Sequence, residues 1–157
     1  TASRTSEVIG ARWDEFNLDF KAWNIPEDRI KTRVAHTVTL NQSSINVLEK
    51  IRPYSDEVYV FPGIKPNTHI SNNAMLQFLK ENHPEIHTQS VVHGFRSSFR
   101  NWAEENHNYS RRAVELCLAH ANENKVEKAY LRSNLLSKRI EIMNEWNNFL
   151  TTMIVEG

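Results

Sequence analysis

The side chains best suited to chemistry include two pairs of residues, each pair three positions apart. Arg4 precedes Glu7, and His93 precedes Arg96. Residues three apart on a helix lie on the same face, so both members of a pair can reach one group. A guanidinium is a planar fork of donors that stays charged at any relevant pH, which suits it to phosphate binding. For Arg4 and Glu7 the alternative is a solvated surface ion pair.

Another histidine and a tyrosine follow nearer the end of the chain. His120 ends an apolar segment, and Tyr130 lies ten residues later, beyond the polar turn 122–125. Taken alone, His120 is typical of a helix C-cap, where the helix dipole favours it. Tyr130 taken alone is typical of a half-buried core tyrosine.

The sequence lacks the signatures of several other catalytic centres. It has no phosphate-binding loop and no G-x-S-x-G, G-x-G-x-x-G or H-E-x-x-H motif. His83 and His87 enclose Pro84 and have no obvious third ligand, so we interpret them as part of a surface loop. Cys117 is the only cysteine and lies in an apolar stripe, which predicts a small, unreactive core residue. We therefore expect neither a metal nor a cofactor.

The hydrophobic pattern predicts the elements that position these residues. It indicates a helix over Ser6–Trp13, a small antiparallel sheet within Asp14–Leu40, and helices that follow Ser43 and Ser71. Val58–Gly63 is predicted to be a buried, extended connector. About the last seventy residues are predicted to be helical throughout. Their apolar stripes are Phe95, Phe99 and Trp102, then Ala113, Leu116 and Cys117, then Ile140, Met143, Trp146 and Leu150. The predicted fold class is mainly α with a small antiparallel β-sheet.

Composition predicts one soluble domain. The 157 residues include 39% hydrophobic residues and equal numbers of basic and acidic side chains, 19 of each. A net charge of zero lowers the expectation of nucleic-acid binding, so any DNA-facing surface must gather its cations through folding. Thr1–Gly10 lacks the features of a signal peptide, and no apolar run approaches the roughly 20 residues that cross a bilayer. We expect no membrane contact, and the single cysteine fits a reducing cytoplasm.

Four motifs in order resemble the catalytic domain of tyrosine recombinases, in particular the prophage integrases. They are R-x-S-E at 4–7, H-G-F-R at 93–96, L-A-H at 118–120 and A-Y-x-R at 129–132. The stretches Ile25–Lys31, His36–Val38 and Val60–Gly63 match as well, and the resemblance runs from Thr1 to about Leu150. Each motif alone is weak, but their order and separation argue against chance. The resemblance implies the tyrosine recombinase catalytic-domain fold.

The resemblance also implies a role for each matching residue. Arg4 and Arg96 would clamp the scissile phosphate, and Glu7 would orient Arg4. His93 would assist proton transfer or position the phosphate, and His120 would bind a non-bridging oxygen. The full catalytic set so implied is Arg4, Lys31, His93, Arg96, His120 and Tyr130.

Two further residues are implied to act on the two ends of the cut bond. Tyr130 would attack phosphorus and form a 3′-phosphotyrosine, a covalent link that conserves bond energy without ATP. Lys31 would protonate the departing 5′ oxygen from a turn between two strands. Arg33 and His36 remain alternatives to Lys31, because short turns are easily misaligned in a single sequence.

For the whole molecule, the resemblance implies a metal-independent DNA strand transferase. Residues 1–157 would be the C-terminal catalytic domain of a longer bacterial integrase, without the upstream DNA-binding domains. Its partners would be double-stranded DNA attachment sites, three further copies in a tetramer on DNA, accessory DNA-bending proteins and an excisionase. A nucleoid-associated location would follow. The alternatives are a type IB topoisomerase-like relaxing enzyme and a catalytically silent DNA-binding or assembly module with the same fold.

Overall fold

The fold is mostly helical with one small antiparallel sheet, as the sequence predicts. The computed structural model describes residues 1–106, 109–120 and 132–155. Its strands are β1 (Phe16–Asn17), β2 (Ala22–Ile25) and β3 (His36–Thr39), and its helices are α1 (Thr5–Ile9), α2 (Gln42–Ile51), α3 (Ala74–Asn82), α4 (Pro84–Gln89), α5 (Gly94–Asn106), α6 (Arg111–Cys117) and α7 (Arg132–Val155). Short 3-10 turns lie at Trp13–Glu15, Glu27–Arg29 and Arg52–Tyr54. None of the helices in the described ranges combines the length and apolarity that a bilayer crossing requires.

The sheet has the order β1-β2-β3 and covers the first of two apolar cores. Trp23 pairs with Phe16 on one side and with Val38 on the other. The rings of Phe16 and Trp23 are stacked with their centroids 5.3 Å apart. Residues that alternate along a strand lie on one face, so Trp23 and Ile25 are buried together against α2.

The second core joins helices α5, α6 and α7. Phe99 and Trp102 of α5 pack with Trp146 of α7, with ring centroids 5.6 and 5.1 Å from that of Trp146. Ala113 of α6 is fully buried against them. Ala2, near the start of the chain, also belongs to this core, so the segment before α1 is anchored among the helices.

Asn41 links the two cores. Its side-chain oxygen accepts a hydrogen bond from the Ser44 amide (2.9 Å) and so caps α2, while its Nδ2 donates to the Met143 carbonyl of α7 (3.1 Å). The predicted helix after Ser43 is confirmed, but its cap is Asn41. Because one buried side chain bonds both elements, α2 and α7 are held in a fixed relation.

Two predicted segments differ in their local structure. The helix predicted over Ser6–Trp13 ends at Ile9, because the chain turns at Gly10, and Trp13 begins a separate 3-10 turn. The surface loop predicted around His83 and His87 is wrong, since Pro84 starts α4 at a position where a missing amide hydrogen costs nothing.

Several apolar stripes are also shifted from their predicted positions. Phe95, Ile140 and Leu150 are exposed by 49%, 45% and 42%, while Leu135 and Ile142 are buried. The stripe of α7 is therefore set by Leu135, Ile142, Met143 and Trp146. The helical prediction for the last seventy residues holds for α5, α6 and α7, with residues 121–131 outside the described ranges.

The predicted connector at Val58–Gly63 is extended and buried at its centre. Val60 has no exposed surface, and its amide donates to the Ala11 carbonyl (2.9 Å). The Trp13 amide donates in turn to the Val58 carbonyl (3.0 Å). These bonds fix the chain that follows α1 and so support the position of that helix.

Candidate active site

Arg4 and Glu7 form a partly buried ion pair at the start of α1. The Arg4 amide donates to Glu7 Oε2 (2.7 Å), and Arg4 Nη1 donates to Glu7 Oε1 (2.9 Å). Glu7 is only 1% exposed, so its carboxylate needs a cationic partner to stay charged. The structure therefore rejects the surface-pair alternative and supports the expected contact between Glu7 and the Arg4 guanidinium.

Arg29 connects α1 to the sheet through hydrogen bonds and an ion pair. Its Nη2 donates to the Glu7 carbonyl (2.7 Å), and its Nη1 forms an ion pair with the buried Glu15 carboxylate. Trp23 of β2 donates from its indole nitrogen to the same carboxylate (2.9 Å). The position of Arg4 therefore depends on the sheet as well as on α1.

Arg96 lies in the first turn of α5 and joins three segments of the chain. Its Nη1 donates to the Ala2 carbonyl, its Nη2 donates to the Leu118 carbonyl (2.7 Å), and Nη2 lies 3.4 Å from His120 Nε2. Burial, and next the nearby charge of Arg4, lower the pKa of Arg96 from its usual value. Two like charges held close together favour an anion between them.

His120 is positioned by an unusual end of α6. Ala119 has a φ of 52°, and the His120 and Ala119 amides donate to the carbonyls of Glu115 (3.0 Å) and Leu116 (3.2 Å). This is a Schellman motif with alanine where glycine is common. His120 Nδ1 bonds the Glu115 carboxylate, which can only accept, so Nδ1 carries a proton and Nε2 faces Arg96. The prediction that His120 follows a helix end is confirmed.

His93 lies directly before α5 and opens onto a cleft that Arg4 also lines. The cleft has a volume of about 450 Å³. Its lining residues are Arg4, Thr5, Ser6, Asn72, Asn73, Leu76, Val91, Val92 and His93. The expectation that His93 and Arg96 share one face holds only in part, because His93 is exposed whereas Arg96 is 7% exposed and bonded to buried carbonyls.

The connection between β2 and β3 carries the three alternatives for the leaving-group acid. Lys31 and Arg33 are exposed, and Arg33 has a φ of 51°. His36 is half-buried at the start of β3. Burial and then the charges of Arg139, Arg4 and Arg96 lower its pKa to about 3. The charges of Arg4 and Arg96 thus act on His36, whereas Lys31 lies in the exposed turn between β2 and β3.

The expected nucleophile, Tyr130, lies outside the described residues. Tyr109 is the other tyrosine in this half of the chain, and its hydroxyl donates to the Glu145 carboxylate. Burial and this carboxylate raise the pKa of Tyr109 well above its usual value. Tyr109 is therefore poorly suited to attack phosphorus.

Sequence analysis missed Arg139 and Glu115. Arg139 is 8% exposed and donates to the Thr37 carbonyl, and it also contacts the buried Cys117 thiol. Burial raises the pKa of Cys117 to about 11, in keeping with an unreactive core thiol. The sequence feature that could have identified Arg139 is its helical spacing from Leu135 and Ile142, because this spacing places a charged residue on the buried face of α7.

Comparison with known proteins agrees with the geometry. The phage integrase family matches residues 1–136. Prophage integrase IntA of Escherichia coli strain K12 is 33% identical over 148 residues, which cover 93% of this chain and 35% of the relative. The integrases of Enterobacteria phage P4 and Shigella phage Sf6 are 31% and 30% identical, and the alignments cover 100% and 96% of this chain and 41% and 39% of the relatives. The chain thus spans well under half the length of these relatives. No solved structure matches the chain significantly.

Proposed function

The chain belongs to the phage integrase family, and from this premise we propose that it is the catalytic domain of a site-specific DNA recombinase. It would cut and rejoin attachment sites during integration and excision of a prophage or genomic island. Its relatives carry the names prophage integrase and integrase, which supports this class of activity. In the assembled enzyme we expect four copies on double-stranded DNA, with accessory bending proteins and an excisionase.

The observation that carries the proposal is the contact of Arg96 with His120, where the charge of Arg4 also acts on Arg96. Arg96 lies within reach of His120, and Arg4 is close enough for its charge to lower the pKa of Arg96. Phosphodiester transfer needs fixed cations that stabilise the charge on the non-bridging oxygens in the transition state. Two guanidinium groups supply that charge, so the proposed reaction needs no metal ion.

In the proposed reaction, Tyr130 Oη forms a bond to phosphorus as the bond between phosphorus and the 5′ oxygen breaks. The tyrosine proton leaves to a base, for which His93 in the open cleft is a candidate, and Lys31 gives a proton to the 5′ oxygen. The product is a 3′-phosphotyrosine and a free 5′ hydroxyl. Attack by the 5′ hydroxyl of another strand reverses these steps and restores the DNA backbone.

Trapping a covalent adduct tests the proposal directly. A nicked suicide duplex that carries the attachment core should become linked to the protein, because the short fragment with the new 5′ hydroxyl dissociates and the cut strand cannot be resealed. Tyr130→Phe should abolish the adduct, whereas Tyr109→Phe should retain it. Denaturing gel electrophoresis measures the linked fraction, and the adduct should form equally in excess EDTA.

Each contrary result in this assay identifies a different error. An adduct that still forms with Tyr130→Phe but is lost with Tyr109→Phe would show that the nucleophile is Tyr109 and not Tyr130. A strict need for Mg²⁺ or Mn²⁺ would overturn the metal-independent mechanism. Binding of the duplex with no adduct from the wild-type chain would favour the catalytically silent module.

Lys31 has its own chemical test. A substrate with sulfur in place of the bridging 5′ oxygen has a leaving group that needs no proton. Lys31→Ala should therefore cleave the sulfur substrate at nearly the wild-type rate and the normal substrate roughly 10²-fold more slowly. Arg33→Ala is the matched control and should cleave both normally. Equal defects of Lys31→Ala on both substrates would show that Lys31 only positions DNA.

A further inference from the structure

His36 and Arg139 form a contact between the sheet and the C-terminal helix. Arg139 Nη2 lies 3.4 Å from His36 Nε2 and donates to the carbonyl of the next residue, Thr37. His36 is half-buried and Arg139 is 8% exposed. The two residues are 103 positions apart, and Arg139 lies beyond the residues that the family matches.

The chemistry of this contact determines where the imidazole proton lies. A guanidinium has only donors and cannot lose a proton at any relevant pH. His36 Nε2 must therefore accept from Arg139, which leaves the ring proton on Nδ1. Among the described residues, His36 Nδ1 has no hydrogen-bond partner.

The charges around His36 keep the imidazole from taking a second proton. Burial has the largest effect, followed by the positive charges of Arg139 on α7, Arg4 before α1 and Arg96 on α5, and all of them lower the pKa of His36. A neutral ring with a fixed proton is a hydrogen-bond donor whose protonation state stays constant between pH 5 and 8. An ordinary histidine changes its charge in this range.

We propose that Arg139 is a positioning residue that fixes His36 in the Nδ1–H tautomer, and that His36 offers this N–H to an oxygen of the scissile phosphate. The second part rests on the proposed function, since it needs a phosphate at Arg4 and Arg96. The first part concerns this chain alone. A donor that carries no charge adds a hydrogen bond without adding to the repulsion among the neighbouring guanidinium groups.

Nitrogen NMR of the histidine rings tests the first part without DNA. In the long-range ¹H–¹⁵N spectrum of the wild-type chain at pH 7, His36 should show a protonated Nδ1 and an unprotonated Nε2. His36→Gln assigns the signals. Arg139→Met removes the hydrogen-bond donor but keeps a side chain of similar length. This variant should give a mixture of both tautomers and a higher pKa for His36.

Two further variants separate positioning from structure. Arg139→Lys keeps a cationic donor and should retain the wild-type ring pattern, even if Arg139→Met fails to fold. Lys138→Met changes an exposed neighbour on the same helix and should leave the pattern unchanged. A proton on Nε2 in the wild-type chain overturns the proposal. An unchanged Nδ1–H ring in folded Arg139→Met does so as well.

The adduct assay tests the second part. His36→Phe and Arg139→Met should each slow single-turnover cleavage by roughly 10²-fold, the scale of one lost donor at a transition-state oxygen. DNA affinity should change little, and Arg139→Lys should restore most of the rate. Wild-type rates in His36→Phe overturn the role of His36. If the wild-type chain gives no adduct, the proposed function fails, while the ring spectra still decide the tautomer.

Discussion

Arg96 keeps its full positive charge because its described hydrogen-bond partners are backbone carbonyls and the His120 ring, and not carboxylates. The Ala2 and Leu118 carbonyls hold two of its nitrogens. Arg4, in contrast, is paired with the Glu7 carboxylate, which partly offsets its charge. Neutral acceptors fix a guanidinium without neutralising it, so the remaining N–H groups of Arg96 can serve an anion. At the scale of single residues, we therefore expect Arg96 to be the more important of the two cations.

Replacing Arg96 by lysine tests this expectation. An ammonium keeps the charge, but it cannot bond the Ala2 and Leu118 carbonyls and a phosphate with a planar fork. We expect the cleavage rate to fall roughly 10²-fold or more, the scale of an oxyanion-stabilising donor. Single-turnover cleavage of the suicide duplex measures it, with Arg111→Lys on the exposed start of α6 as control. A wild-type rate would show that Arg96 is structural.

At the scale of elements, three of the candidate residues lie at helix ends. Arg4 is the N-cap of α1, His93 directly precedes α5, and His120 follows α6. Residues at a helix end can reach a neighbouring segment without breaking the hydrogen bonds of the helix. The precision of the site therefore depends on how each end is capped and on how the helices are tied to the sheet.

The contact that Asn41 makes between α2 and α7 leads to a prediction on stability. Asn41→Ala removes both the cap of α2 and the bond to the Met143 carbonyl, so it should destabilise the fold by about 2 kcal/mol. Asn41→Ser keeps a capping hydroxyl and loses only the bond to α7, so about half of that loss is expected. Urea unfolding measures both. Equal losses would mean that the cap contributes nothing.

Sequence patterns predicted which elements exist better than they predicted how each element ends. The sheet and the helices after Ser43 and Ser71 followed from periodicity and turn residues. The turn at Ala119 did not, because alanine gives no sign of a left-handed conformation. The site could be assembled only from the resemblance, since spacing alone left His120 as an ordinary helix cap.

At the scale of the whole molecule, long-range contacts bring together charges that the sequence keeps apart. Arg96 contacts the carbonyl of Ala2, 94 residues away, and His36 contacts Arg139, 103 residues away. Local periodicity contains no information on such pairs, which is why Arg139 could not be assigned from the sequence. In a chain with no net charge, the charges of Arg4, Arg96 and Arg139 thus all act on one histidine.

This local gathering of charge predicts weak, salt-sensitive DNA binding by the chain alone. With a net charge of zero, it should neutralise few phosphates, and each contact should contribute roughly −0.9 to the slope of log affinity against log salt. Arg96→Gln should make the slope shallower by about one contact. Arg12→Gln should leave the slope unchanged, because Arg12 is paired with Asp14.

Sequence preference should be slight, since contacts with phosphates carry no base information. Fluorescence anisotropy across a salt series measures affinity and slope together. Tight binding to one attachment core over scrambled duplex at physiological salt would contradict this view and place the sequence reader within residues 1–157.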